Sequence, residues 1–281
     1  MSDRWAEWVL SRRFAGDEAV RRWQLEGLAG IRDRVLDHAG LNPGETLLDI
    51  GCGDGMIGFG AIERGVGRVL FSDISRDLVQ ACRLAASDLR VEERCRVVRA
   101  AAECLPLADA VVDVAVVRSV LIYVAEKQRA LREMARVLRP GGRLSLFEPI
   151  NRLANPLDTY DLKPVADLAD RVRNVFETLQ PPAGDPMLDF DERDLVDLAE
   201  EAGFAVVHLE LRVDVSTPPP VPWETFLRMV GNPKIPSYGE AMDQVLSPAE
   251  RERLAAHLRP LVVSGRGRQR SAVAFLWARK D

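Results

Sequence analysis

The sequence predicts an α/β fold with a doubly wound, Rossmann-like sheet that carries helices on both faces. Short apolar runs alternate with helical stretches between residues 46 and 147, a pattern typical of βαβ units. Two further apolar runs near the end of the chain bring the number of predicted strands to seven. A chain of 281 residues, of which 47% are hydrophobic, can bury the core of one such domain.

Each predicted strand is a short run rich in apolar residues, as found in buried parallel sheets. The seven runs lie at 46–50, 68–71, 96–98, 111–117, 143–147, 204–215 and 271–278. Apolar residues at helical spacing predict helices at 75–89 and 126–138. A third helix is predicted at 192–201, because Asp191 can cap its start and Gly203 follows its end.

The segments outside these strands predict a lid and two caps. Apolar residues at helical spacing predict helices before the first strand, between residues 3 and 39. Two later segments contain prolines, and the second of them also contains helical patterns. We therefore expect a helical lid at 1–40 and one domain at 41–281, with cap insertions at about 150–190 and 216–270.

Composition and charge exclude several classes of function. The net charge of −5 argues against a broad surface for nucleic acid or anionic lipid. The four cysteines show no CxxC spacing and no clustering with the three histidines, which argues against a metal site or a disulfide framework. The charged first twenty residues do not fit a signal peptide, and no long uncharged run predicts a membrane span. We therefore expect a cytoplasmic protein without stable membrane insertion, and the sequence leaves open whether it forms a homo-oligomer.

A glycine-rich segment, Leu47–Gly55, ends the first predicted strand and begins a helix. Its alternate glycines let the backbone turn tightly and approach a ligand closely. The overlapping segment Gly53–Gly58 also fits the dinucleotide pattern GxGxxG. However, that match starts two residues after the position a dinucleotide site needs, and Asp49 would repel a pyrophosphate. The same carboxylate suits the ammonium group of a sulfonium amino acid.

A second carboxylate, Asp73, ends the second predicted strand. A carboxylate at this position can accept hydrogen bonds from both hydroxyls of a ribose. The alternative is a helix cap, because the next helical stretch starts near Ser75.

Four segments, in this order, resemble the class I S-adenosylmethionine-dependent methyltransferases. They are LLDIGCGDG, FSDIS, AAECLPLADAVVDVAVV and VLRPGGRLSLFEP. The resemblance covers roughly residues 41–150 together with the last helix and the last two strands. It implies a seven-stranded sheet whose last strand is antiparallel, and S-adenosyl-L-methionine as the cofactor.

The resemblance also implies a role for each matching residue. Three glycines would cradle the methionine part of the cofactor, namely Gly51, Gly53 and Gly55. Asp49 would hold the ammonium and Asp73 the ribose, while Ile74 would lie against the adenine. The turn with Ala102 and Glu103 would recognise the adenine edge. Arg118 and Ser119 would line the methionine side. Many relatives carry Asp where this chain has Ala101, so the bond from the adenine amino group must pass to Glu103, to backbone or to water.

The predicted lid contains Arg12 and Arg13 between two tryptophans and the second helix. An arginine at this place could bind the carboxylate of the cofactor with two parallel hydrogen bonds. We assign that role to Arg13. The alternative is an amphipathic helix whose charged outer face carries both arginines.

Three residues are candidates for the chemical step because they follow the fourth and fifth strands, where ligands of such sheets bind. Glu148 could act as a general base, or it could be a structural carboxylate that holds the cap, paired with an arginine such as Arg118 or Arg152. Asn151 follows on the same side, and Tyr123 is a candidate that packing also explains.

The function expected from these features is methyl transfer by in-line displacement to an oxygen, nitrogen or carbon atom of a small molecule, as in secondary metabolism. Long caps suit an enclosed acceptor, because closure excludes water. The Asn-Pro-Pro-Tyr motif of amino-group methylases of DNA and glutamine is absent. The alternatives are a quinone-type C-methyltransferase, a protein methyltransferase and a non-catalytic S-adenosylmethionine-binding module.

Overall fold

The computed structural model describes residues 3–181 and 183–281 and contains one seven-stranded sheet. Its strands are β1 (Thr46–Ile50), β2 (Arg68–Asp73), β3 (Cys95–Arg99), β4 (Val112–Arg118), β5 (Leu138–Pro149), β6 (Phe204–Ser216) and β7 (Gln269–Lys280). The strand order is β3-β2-β1-β4-β5-β7-β6. β7 is antiparallel to both of its neighbours and the other pairs are parallel, which confirms the predicted fold class. Residues 1 and 2 of the predicted lid, and Pro182 of the first predicted cap, lie outside the described residues.

Helices cover both faces of the sheet and its carboxyl edge. They are α1 (Arg4–Leu10), α2 (Glu18–Ala39), α3 (Met56–Glu63), α4 (Arg76–Asp88), α5 (Lys127–Val137), α6 (Ala166–Leu179), α7 (Glu192–Glu201), α8 (Trp223–Arg228), α9 (Tyr238–Val245) and α10 (Pro248–Val263). α7 begins at a capping box formed by Asp191 and Asp194, at the predicted residue. Within the described ranges, every helix is too short or too polar to cross a bilayer.

The sequence did not predict two helices of the caps, α6 and α9. The buried residues of α6, Leu168, Val172 and Phe176, recur at helical spacing, but acidic and basic residues separate them. They pack in one cluster with Ala241 and Met242 of α9. Each helix therefore hides its apolar face against the other, and this pairing is not visible in either segment alone.

The two faces of the sheet carry separate cores. Leu48 and Leu144 belong to the core under α5 and α7, while Leu47 and Phe71 belong to the core under α2 and α3. β1 pairs in parallel with β2 on one side and with β4 on the other, so the order of strands reverses at β1. Such a reversal opens a crevice at the carboxyl ends of the strands, where ligands bind in this class of fold.

Candidate functional site

The glycine loop after β1 forms the floor of this crevice. Gly51, Gly53 and Gly55 all have φ between 56° and 84°, a left-handed conformation that favours glycine. A Cβ atom on Gly51 would lie 2.2 Å from Cγ2 of Val120, and one on Gly55 would lie 2.5 Å from Cε2 of Phe59. A Cβ atom on Gly53 would meet nothing within 4 Å. The loop is therefore closed below Gly51 and Gly55 and open above Gly53, which leaves a ligand room to approach the backbone.

Asp49 lies beneath the loop and is buried. Its carboxylate accepts a hydrogen bond of 2.9 Å from the backbone N–H of Gly58 in α3. Burial raises the pKa of Asp49 to about 7, although this hydrogen bond and the charge of Arg118 act in the opposite direction. A nearby cation would stabilise the ionised form.

Asp73 connects the ends of β1 and β2. Its carboxylate accepts hydrogen bonds from the backbone N–H of Gly53 at 2.9 Å and of Ser75 at 2.8 Å. Burial raises the pKa of Asp73, and these two bonds oppose that rise. The side chain of Ser75 caps α4, so Asp73 is not the N-cap residue of this helix. Carboxylate oxygens can accept further bonds, which leaves capacity for two hydroxyl groups.

The residues predicted around an adenine follow the ends of β2 and β3. Ile74 is 52% exposed, which is unusual for a large apolar side chain beside a buried strand. β2 and β3 stay paired up to Asp73, where the N–H of Ala100 donates to its carbonyl at 3.0 Å. A tight turn then follows and contains Ala102 and Glu103. An apolar side chain and a turn with a carboxylate thus stand at one edge of the crevice.

Arg13 lies in the turn after α1 and is buried, contrary to the alternative of a charged outer helix face. Its guanidinium lies 3.7 Å from Asp54 and 4.5 Å from the ring centroid of Phe14. Its Nε has no hydrogen-bond partner among the described residues. Burial lowers the pKa of Arg13, Asp54 raises it, and Arg118 lowers it further. A buried donor without an acceptor is unfavourable, so this place suits an anion such as a carboxylate.

Arg118 and Ser119 continue from β4 into the same crevice. Ser119 has φ of 55°, and its N–H donates to the carbonyl of Phe147 at 2.8 Å. This bond keeps the ends of β4 and β5 together. Arg118 is half-buried, and its charge acts on the pKa values of Arg13 and Asp49.

Glu148 is fully buried at the end of β5, and it does not form the ion pair with an arginine that one interpretation of the sequence predicted. Its carboxylate accepts hydrogen bonds from three consecutive backbone N–H groups, at 2.9 Å, 2.9 Å and 3.3 Å, those of Val120, Leu121 and Ile122. The expected pairing with Arg152 fails because Arg152 lies near Asp191, at 3.5 Å. Burial raises the pKa of Glu148 to about 7, while the three bonds and Lys127 lower it.

Tyr123 follows the turn that Glu148 holds. Its ring meets that of Trp5 edge to face at 4.9 Å between centroids, and Nζ of Lys234 lies 5.9 Å from its centroid. Its hydroxyl forms no hydrogen bond with residues 3–181 or 183–281. Burial raises the pKa of Tyr123, and so does the negative charge of Glu148. Asn151, the third candidate for catalysis, donates to the carbonyl of Met187 at 3.1 Å and so fastens the first cap to β5.

The segment before β1 lies between the glycine loop and the second cap. At one end of α1, Asp3 accepts a hydrogen bond of 2.7 Å from the hydroxyl of Ser75. Further along, Nε1 of Trp8 donates to the carbonyl of Val230 at 2.8 Å. Arg12, next to the buried Arg13, forms an exposed ion pair with Glu240. The cofactor side of the crevice is therefore connected to the cap through α1.

Three charged residues near Tyr123 were not predicted from the sequence. Lys127 is buried and donates to the carbonyls of Val124 and Pro186, both at 3.0 Å. A lysine in the first turn of a helix opposes the helix dipole, and this is a signal that sequence reasoning could have used. Lys234 and Asp185 form an ion pair of 3.8 Å between the two caps, and neither residue lies in a recognisable motif.

Two other features lie outside this site. No group of three or more potential metal ligands occurs among the residues that the structure describes. A cavity of about 750 Å³ lies between residues 157–173 and the turn 266–268, and no residue of the glycine loop lines it. We therefore place the chemistry at the crevice, where the buried polar groups are, and not at this cavity.

Comparison with known proteins points to one class of enzyme. The family model of a methyltransferase domain matches residues 48–146. The ubiquinone/menaquinone biosynthesis C-methyltransferase UbiE of Vibrio cholerae is 32% identical over 176 residues, which cover 60% of this chain and 68% of that protein.

Two solved structures share the fold. A geranyl diphosphate methyltransferase in complex with SAM has a TM-score of 0.55 and 18% identity, covering 95% of this chain and 94% of that one. A putative sarcosine dimethylglycine methyltransferase from Galdieria sulphuraria has a TM-score of 0.54 and 17% identity, covering 93% and 88%. At these identities, the two structures support the fold alone.

Proposed function

The chain belongs to the class I S-adenosylmethionine-dependent methyltransferases, and from this membership we propose that it methylates a small-molecule acceptor held beneath its helical caps. The cofactor of the family is S-adenosyl-L-methionine. The observation that carries the acceptor class is that Tyr123 contacts both Trp5 of the lid and Lys234 of the second cap, so both segments lie over the end of β4. A site covered by a lid and a cap admits a small molecule more readily than a folded protein or a nucleic acid.

In this proposal, the residues after β1 and β2 hold the cofactor. The open space over Gly53 takes the methionine part, with Asp49 near its ammonium and Asp73 on the ribose. The unpartnered Nε of Arg13 binds the carboxylate. The remaining contacts come from residues around the same crevice: Gly51, Gly55, Ile74, Ala102, Glu103, Arg118 and Ser119. The lid at 1–40 and the caps at about 150–190 and 216–270 then close over it.

When bound, the cofactor supplies an electrophilic methyl group on a sulfonium. The task of the protein is to align the acceptor atom with that group, and orientation of this kind can supply about 7 to 11 kcal/mol. Tyr123 and Lys234, whose Nζ lies 5.9 Å from the centroid of the Tyr123 ring, are our candidates for contact with the acceptor. Glu148 acts as a positioning residue, because its carboxylate is occupied by the backbone that carries Tyr123. Asn151 positions the first cap through Met187.

A quinone-type C-methyltransferase is the second candidate. Its support is the 32% identity to proteins of ubiquinone and menaquinone biosynthesis. An isoprenoid acceptor needs a long apolar channel, whereas the ion pair of Asp185 with Lys234 puts charge beside Tyr123. We therefore favour a polar acceptor of natural-product type.

The test is methyl transfer from cofactor labelled on its methyl group into fractions of a host extract. The proposal predicts label in the polar low-mass fraction, and much less with the Asp73→Ala variant at the same subsaturating cofactor concentration, because this variant should lose cofactor affinity by roughly ten- to a hundred-fold. Label in the lipid fraction would support the quinone candidate instead. Label in protein, or cofactor binding without transfer to any fraction, would contradict the proposal.

A further inference from the structure

β6 is the edge strand of the sheet and the longest strand of the described chain. It spans 13 residues and pairs only with β7, so its outer edge has no partner within residues 3–181 and 183–281. The opposite edge, β3, spans 5 residues. Long edges with unpaired N–H and C=O groups invite pairing with another strand, and proteins usually shorten or cover them.

An apolar row runs along the uncovered half of β6. Leu211, Val213 and Val215 are 36%, 46% and 50% exposed, and alternate residues of a strand share one face. The preceding member of the row, Leu209, packs against the core under α5 and α7. The exposed row is therefore the continuation of a core face beyond the helices that cover it.

The opposite face of the same segment is charged. Arg212 and Asp214 point to this face and form an ion pair of 2.7 Å with each other. Charges on an edge strand can block pairing when like charges meet. Here the positive Arg212 precedes Val213 and the negative Asp214 follows it. The charge pattern is therefore self-complementary when two strands pair antiparallel about Val213.

We propose that β6 is a homodimer interface, in which two copies of this chain pair their β6 strands antiparallel about Val213. In this register, Val213 faces Val213 of the second copy and Leu211 faces Val215. On the other face, Arg212 lies opposite Asp214 of the second copy, and the reverse pair forms by symmetry. The two sheets become one continuous sheet, and a two-fold axis passes through Val213.

The charges of β6 exclude two registers and favour the axis at Val213. A two-fold axis at Arg212 would place two arginines opposite each other, and an axis at Asp214 would do the same for two aspartates. The axis at Val213 gives two opposite-charge pairs and places the two apolar rows against each other, whereas an axis at Leu211 would oppose Arg212 with Glu210, which already pairs with Arg34 in its own chain. A second copy of this chain therefore supplies the complementary surface. β6 lies at the end of the sheet, separated from β4 by β5 and β7, so pairing leaves the crevice at β1 and β4 free.

Light scattering after size-exclusion chromatography of the full chain, over a range of concentrations, tests this interface. We expect a mass of twice 31.2 kDa for the wild type and 31.2 kDa for Val213→Lys. The matched control is Val263→Lys on α10, which is 50% exposed against 46% for Val213 and should remain dimeric. A wild type that is monomeric at every soluble concentration would overturn the proposal, and so would a dimeric Val213→Lys variant.

A charge swap tests the register and separates pairing from misfolding. Arg212→Asp alone places two aspartates opposite each other and should give monomer. The double variant Arg212→Asp/Asp214→Arg restores opposite charges and should return to dimer. Failure of the double variant to dimerise, with a melting temperature equal to that of the wild type, would contradict this register and with it the interface.

Discussion

Glu148 accepts a hydrogen bond of 2.9 Å from the backbone N–H of Leu121, which fastens the turn after β4 to the end of β5. The same carboxylate also accepts hydrogen bonds from the backbone N–H groups of Val120 and Ile122. Three adjacent donors and one buried carboxylate therefore determine where the next residue, Tyr123, stands. On the proposed function, stability and catalysis would therefore both depend on this one side chain, without its touching the substrate.

Glu148→Gln should lower stability, cofactor affinity and methylation rate together. The amide keeps the shape of the side chain, but its NH₂ group cannot accept a bond, so at least one buried N–H loses its partner. Such a loss costs about 1 to 3 kcal/mol. Thermal unfolding should show a lower Tm, by about 2 to 4 °C for each kcal/mol in a chain of this size. A fall in kcat of about a hundred-fold or more, with Tm and affinity unchanged, would instead make Glu148 the base.

Affinity for S-adenosylhomocysteine should rise with pH through the ionisation of Asp49. Burial raises the pKa of this group to about 7, and the ammonium of the ligand binds only its ionised form. The carboxylate is mostly protonated below the raised pKa, so affinity is reduced there and recovers as the pH passes 7. We expect about an eightfold gain between roughly pH 6 and 7.5, measured by calorimetry. Asp49→Asn should remove this dependence, and a slope that persists in the variant would assign it to another group.

Arg13→Lys should weaken S-adenosylhomocysteine binding by about tenfold or more, because an ammonium cannot replace a bidentate guanidinium. The matched control is Arg12→Lys, since Arg12 is the neighbouring arginine and faces Glu240 outside the crevice. Methylthioadenosine lacks the carboxylate, and its affinity should be the same in both variants and the wild type. Equal losses for the two ligands would show that Arg13 supports the lid and does not bind the carboxylate.

The parts of the fold that could be predicted from sequence are those whose signal is local. The run Thr46–Ile50, the glycines after it and the cap at Asp191 each carry their own periodicity or turn chemistry, and the structure has them where expected. The pairing of α6 with α9 was missed, because neither segment shows its apolar face clearly without the other. Boundaries shifted by a few residues where strands lengthen against neighbours, as β7 does against β6.

The residues of the candidate site also divide into those that a local sequence signal predicts and those that only contacts between distant segments bring together. Residues at the carboxyl end of a strand, such as Asp73 and Arg118, could be expected at the crevice from the predicted sheet alone. The ion pair of Asp185 with Lys234 could not, because it joins two caps through contacts between distant segments. The expected ion-pair partner of Glu148 was also wrong. One interpretation of the sequence predicted that Glu148 pairs with an arginine, whereas its carboxylate accepts hydrogen bonds from three backbone N–H groups of the turn after β4.

The central claim is that the acceptor is methylated in the space beside Tyr123. The measurement that tests it most directly is kcat/KM of Tyr123→Leu, with the acceptor that the labelled extract identifies. A matched control is Tyr160→Leu, which alters a tyrosine of the separate cavity at 157–173. We predict that Tyr123→Leu lowers kcat/KM by at least about tenfold at unchanged cofactor affinity, and that Tyr160→Leu leaves both values near those of the wild type. A loss confined to Tyr160→Leu would contradict the claim and move the acceptor to the other cavity.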